Sequence, residues 1–69
     1  MDERNMFGKR LKTALKARYI PTKKAASDTG IGYSTMLAYI KGDRNPTMQN
    51  VVALCKYLDV SADWLMGLR

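Results

Sequence analysis

The 69-residue chain contains no histidine and a single cysteine, Cys55. These two absences remove an internal disulfide, a zinc site, and the Ser-His and Cys-His pairs of nucleophilic catalysis. Hydrolase and metalloprotein functions are excluded, and no residue is assigned a catalytic, metal or cofactor role. Long apolar runs are also missing. The longest stretch without charge, residues 29–40, is 12 residues with several polar ones, so no segment spans a membrane. The opening Met-Asp-Glu-Arg-Asn-Met has no apolar signal-peptide core. With the free thiol, this places the expected site of action in the cytoplasm. Strand signals are weak as well: no segment alternates apolar and polar for long, and no Asn-Gly or Asp-Gly hairpin dipeptide occurs. The Gly-Lys-Ser/Thr ending of a phosphate-binding loop is absent too. No small-molecule ligand is expected.

Acidic residues are scarce: six Asp and Glu against twelve Lys and Arg give a net charge of +6. The excess lies entirely in residues 1–24, which carry eight basic and two acidic side chains, whereas residues 25–69 carry four of each. A solvated helix face accounts for part of this pattern, and an anionic partner accounts for it more fully. The hydrophobic fraction of 46% suffices for the core of one small domain, expected over residues 1–69, and the length leaves no room for a second.

Pro21, Gly30, Gly32, the run Gly42-Asp-Arg-Asn-Pro46 and Asp59-Val-Ser61 cut the chain into helix-length pieces. Phe7, Leu11, Ala14, Leu15 and Arg18 recur at three- and four-residue steps, predicting an amphipathic helix of about 14 residues that stops before Pro21. A second helix has Thr22 as cap or first residue, buries Ala25 or Ala26 and ends at Gly30. The third runs from Gly32 or Tyr33 to Lys41 with Met36 and Tyr39 or Ile40 inward, ending at Gly42. In the fourth, Thr47 caps a stripe of Val51, Leu54, Cys55 and Leu58, with the thiol read as a small core residue. A last turn over residues 61–66 sets Trp64 or Leu65 on that stripe. The expected fold is an all-α bundle of five helices.

Helices two and three, joined by a short turn containing Gly30, make a helix-turn-helix pattern. Ala26 permits a close crossing, Gly30 supplies a positive φ, and Ile31 and Met36 plug the angle between the helices, so one helix projects outward. The amino ends of both helices carry unpaired amides and partial positive charge, with Lys23 and Lys24 beside the first, an arrangement suited to phosphate. Tyr33 and Ser34 offer hydroxyls to base edges, and Leu37 and Ala38 offer apolar contact to a thymine methyl.

Residues from about 7 to 66 resemble the lambda-repressor/Cro-like helix-turn-helix family, also called the xenobiotic-response-element type. The resemblance rests on Ala26, Gly30 and Ile31, on Ser34-Thr35-Met36, on Gly42-Asp-Arg-Asn-Pro46-Thr47, and on a phage-regulator-style ending, Leu58-Asp-Val-Ser-Ala-Asp-Trp-Leu65. It implies a compact five-helix bundle that lays helix three in the major groove, commonly as two copies on a palindromic operator. Carried over by position, Tyr33, Ser34, Leu37 and Ala38 face base edges and Thr35 the backbone. Lys41, Arg44, Asn45 and Thr47 follow the sugar-phosphate chain. Thr22 stands where the family often has a bracing, phosphate-contacting Gln. Ile40 replaces a frequent Glu that pairs with the Arg at position 10, which would leave Arg10 solvated or free to approach DNA and let Ile40 extend the core. Asp59 stands where Gly is common.

The function implied is a sequence-specific DNA-binding transcriptional regulator, a phage or prophage repressor or Cro-like protein. It is read either as a whole regulator or as the amino-terminal DNA-binding domain of a longer repressor. The alternatives are a DNA-binding antitoxin or other protein-interaction module, and a basic helical module that coats nucleic acid or membrane without reading sequence. The expected partners are an operator duplex and a second copy, with Leu65, Met66 and Leu68 as the self-association patch unless they only cap the core.

Overall fold

A computed structural model describes residues 6–68. Among them are five helices and no strand: α1 (Met6–Ala17), α2 (Thr22–Thr29), α3 (Tyr33–Lys41), α4 (Met48–Leu58) and α5 (Ala62–Leu65). The all-α, five-helix architecture is the one expected from the sequence.

Each helix turns one apolar face inward. α1 contributes Phe7, Leu11, Ala14 and Leu15, α2 both Ala25 and Ala26, α3 Met36 and Tyr39, and α4 Leu54 and Leu58. Ile31, in the turn, joins them, and Ile40 and Trp64 pack on the rim. Five large side chains, Leu11, Met36, Leu54, Leu58 and Leu65, are completely buried. At about 1.5–3 kcal/mol for each such side chain, they are the main source of stability in a domain with little reserve. Phe7 and Tyr39 meet edge to face at 5.4 Å. The Tyr39 hydroxyl, carried into the interior with its ring, accepts from Asn50 Nδ2 at 2.9 Å.

Gly8 decides how α1 crosses α3. A Cβ there would overlap the Tyr39 carbonyl oxygen and sit 2.8 Å from that of Ile40, so the two backbones approach as closely as they do only because residue 8 has no side chain.

Several expectations need correction. Arg18 is exposed rather than on the buried face of α1, because the helix ends at Ala17 and the chain turns away. Cys55 is half-buried at the edge of the α4 stripe. Arg10 is neither solvated nor directed at DNA: its Nη1 donates to the Trp64 carbonyl at 2.7 Å and its guanidinium lies 5.1 Å from the Trp64 ring centroid. The cation that the family pairs with α3 here ties α1 to α5. Leu65, expected in a self-association patch, is 0% exposed and belongs to the core, since α5 turns it onto the α4 stripe.

Candidate nucleic-acid interface

α2 and α3 meet through a turn whose parts have separable jobs. Gly30 adopts φ 77° and its amide donates to the Ala26 carbonyl at 3.0 Å, closing α2. Ile31 is buried just beyond it, and the Thr29 hydroxyl turns back to the Ala25 carbonyl at 2.8 Å. With Ala25 and Ala26 both small and buried, α2 lies close on the bundle, and α3 presents its other face outward.

Ser34, Leu37, Ala38 and Lys41 follow the i, i+3, i+4, i+7 spacing of one helical face, whereas Met36 and Tyr39 occupy the buried one. Ser34 and Lys41 are exposed; Leu37 and Ala38 are half-buried, and neither joins the set packed on the core. Tyr33 opens the helix at 45% exposure. The result is a strip of hydroxyl, methyl and ammonium groups, a mixture chemically able to meet base edges and phosphates.

Cations bracket this strip. Lys23 Nζ stands 5.8 Å from the Tyr33 ring centroid, joining the start of α2 to the start of α3. Arg44 Nη1, from the loop after α3, approaches the Thr35 hydroxyl at 3.4 Å, and Thr35 is half-buried beside it. Asn45 and Thr47 continue the exposed loop, and Thr47 Oγ1 also accepts from the Asn50 amide at 3.1 Å. Lys24 is turned away to Asp28 at 3.3 Å. Thr22 is the half-buried first residue of α2 with Pro21 at the cap position, so it does not cap the helix.

The helix starts differ in kind. α2 begins after Pro21 and α3 after Gly32, neither with a side-chain cap and neither with an acidic residue in its first turn. The first-turn amides of both helices are left for an outside acceptor, and the positive ends of the dipoles add to the field of Lys23.

Sequence reasoning placed the outward face of α3 and missed the cross-links at its ends. Lys23 to Tyr33 and Arg44 to Thr35 join residues ten and nine positions apart, beyond any helical period, and no local signal announces them. It also missed Met48, which is 79% exposed. The three-residue step from Met48 to Val51 was the available signal, since it continues the α4 stripe past the end of the bundle. There Pro46, Met48, Val51, Ala62, Met66 and Leu68, with Asp63 as the one charged lining residue, line a mainly apolar groove of about 250 Å³.

A family model described as helix-turn-helix matches residues 11–65. Neither the curated proteins nor the solved structures compared with the chain give a match. Among the described residues no helix is long and apolar enough to cross a membrane. The matched segment takes in the turn, the outward face of α3 and the capped start of α4, and the chain belongs to the lambda-repressor/Cro-like helix-turn-helix family of DNA-binding regulators.

Proposed function

We propose that the protein is a sequence-specific transcriptional regulator of the phage or prophage repressor or Cro-like kind, which reads a palindromic operator with α3 in the major groove. The observation that carries this reading is the outward strip of α3, flanked by Lys23 and Arg44 and with two uncapped helix starts at its amino end. Tyr33, Ser34, Leu37 and Ala38 read bases in this account. Thr22, Lys23, Thr35, Lys41, Arg44, Asn45 and Thr47 position the backbone.

One recognition helix addresses only a few base pairs, so two copies occupy half-sites about one helical turn, ~34 Å, apart. The groove between Met48, Met66 and Leu68 is the proposed contact with the second copy. Leu68 is 74% exposed, the groove is mainly apolar, and its small size fits pairing that is completed on DNA, where the effective concentration is high. A single DNA-binding domain, as a whole regulator or as the amino-terminal part of a longer repressor, and a cytoplasmic setting are part of the same proposal.

Selection of bound duplexes from a random pool tests it. The expected product is an inverted repeat protected by two copies. On that duplex Tyr33→Ala or Ser34→Ala should weaken binding by about 1–3 kcal/mol and relax one or two base positions. Lys41→Ala should weaken all sequences alike and lower the salt slope by roughly one unit. Unchanged base preference in both α3 variants would overturn the placement of α3, and a selected site without symmetry would overturn the dimer.

A further inference from the structure

α1 closes with a Schellman turn: the Tyr19 amide donates to the Lys16 carbonyl at 3.0 Å and the Ile20 amide to the Leu15 carbonyl at 2.9 Å. This geometry puts residue 19 at φ 56°, in the left-handed region. The α3 end is built the same way with Gly42, and the α4 end also turns through a left-handed residue, Asp59; a glycine and a short polar residue tolerate the conformation. A bulky aromatic residue there is an outlier. No contact among the described residues compensates for it: Tyr19 is 93% exposed. The turn would form with less strain from glycine or asparagine, so the use of this side chain lies outside the bundle.

Its surroundings define what it would meet. Three peptide steps separate Tyr19 from Thr22, a span of at most about 11 Å. The uncapped amino end of α2 therefore lies next to it, and Lys23 in that first turn is already against the Tyr33 ring. Lys16, Arg18 and Lys23 are exposed around the corner. An exposed phenol among cations, one short loop from the strip that faces bases, matches an anion carried on a partly apolar frame: a phosphodiester with its deoxyribose.

Resting on the DNA-binding reading above, we propose that Tyr19 is a backbone contact of the bound duplex. Its hydroxyl donates to a phosphate oxygen at the flank of the segment read by α3, its ring lies on the adjoining sugar, and the corner between α1 and α2 extends the interface beyond the recognition helix.

The test uses the full chain, with Tyr19→Asn, Tyr19→Gly and Tyr19→Phe assayed on the duplex selected by the wild-type protein and on a scrambled one. Tyr19→Asn should raise the melting temperature by about 2–5 °C, since it relieves the left-handed strain without loosening the unfolded chain. It should weaken binding to both duplexes about 5- to 10-fold, with base preference and salt slope unchanged because no charge is lost. Hydroxyl-radical protection should disappear at the flank alone. Tyr19→Gly should bind as weakly as Tyr19→Asn, and Tyr19→Phe, which keeps the ring, should lose about half as much on a logarithmic scale. Wild-type affinity and footprint in Tyr19→Asn would overturn the proposal, as would a lowered melting temperature, which would assign Tyr19 to the fold. If Tyr33→Ala still shifts base preference in the same assays, the DNA-binding reading stands while the Tyr19 contact falls. If the wild-type chain selects no duplex, both fall together.

Discussion

Two pairs of consecutive helices in this molecule start in opposite ways. α4 and α5 are closed at their amino ends, where Thr47 Oγ1 accepts from the Asn50 amide and Ser61 Oγ from the Trp64 amide, each at 3.1 Å. α2 and α3 begin after Pro21 and Gly32 and have no such bond. A hydroxyl cap contributes about 1 kcal/mol, and only the closed pair has it. The open pair leaves its amides and dipoles facing outward beside Lys23. The same division runs through the packing. α1 fits α3 with no clearance at Gly8 and reaches α5 through Arg10, so the scaffold is tight where the outward strip of α3 is held from behind.

The scaffold side should break most severely at Gly8. In Gly8→Ala the new methyl meets backbone oxygens of α3, which cannot swing aside as a side chain would, so the expected loss is about 3 kcal/mol, the upper end for overpacking. Urea unfolding with an unchanged slope and a lower midpoint is the expected record. A wild-type midpoint would mean that α1 and α3 are farther apart than this crossing and that the two sides of the molecule are equally loose.

Ala26→Leu probes the other helix that holds α3. Ala26 is buried where α2 lies on the bundle, and the larger side chain should cost about 1–3 kcal/mol. Its loss should be smaller than that of Gly8→Ala, because part of the leucine can escape toward solvent along the shorter α2. Thermal melts of the two variants side by side give the ranking, and the reverse order would make α2 the tighter neighbour of α3.

The helix starts themselves give effects of opposite sign. Thr47→Ala should lose about 1 kcal/mol by uncapping α4. Gly32→Asp should gain a few tenths of a kcal/mol, because φ at that position is −56° and a Cβ there meets nothing closer than 3.7 Å. The same aspartate would occupy the α3 amides and cancel their field, so duplex binding should fall while stability rises. Melting curves and a binding titration on one preparation of Gly32→Asp check both; a gain in stability with unaltered binding would show that the α3 start is open without being used.

Ala26, Gly30, Ile31 and Met36 were legible because their requirements are local: a small residue on one face, a positive φ, two apolar plugs at fixed offsets. Ser34, Leu37, Ala38 and Lys41 came instead from the family resemblance by position, and the helical period of α3 puts them on one face. Gly8, Arg10 and Tyr19 were not legible, because each depends on a neighbour or a turn that the sequence does not display. Nothing around Gly8 announces two carbonyls of α3 above it, and the loss of a carboxylate at Ile40 does not say that Arg10 will turn to Trp64. Leu65 was misplaced for a related reason. Three apolar residues near the end of the chain look alike until the short α5 turns one inward and leaves Leu68 out.

The smallest expected effect belongs to the polar tie between α2 and α4. Tyr57 of α4 donates its hydroxyl to Asp28 of α2 at 2.6 Å, and Lys24 stands on the same carboxylate oxygen. The Tyr57 hydrogen bond first, and the Lys24 ammonium second, hold the Asp28 carboxyl below its ordinary value of 3.8. The same bond, which keeps the phenolic proton in place beside a negative charge, holds Tyr57 above its ordinary 10.0. The signs then oppose. A depressed carboxyl stabilises the fold above pH ~4, and that contribution is lost as pH falls through the folded-state value. A raised phenol stabilises the fold below pH ~10, and that contribution is lost as pH rises through the folded-state value. Asp28→Asn should therefore melt slightly below the wild-type protein at pH 7 and converge with it in strong acid, while Tyr57→Phe should converge with it at both extremes. Melting temperatures between pH 2.5 and 11 measure this, and a gap between variant and wild type that does not change across that range would show that α2 is held to α4 by packing alone.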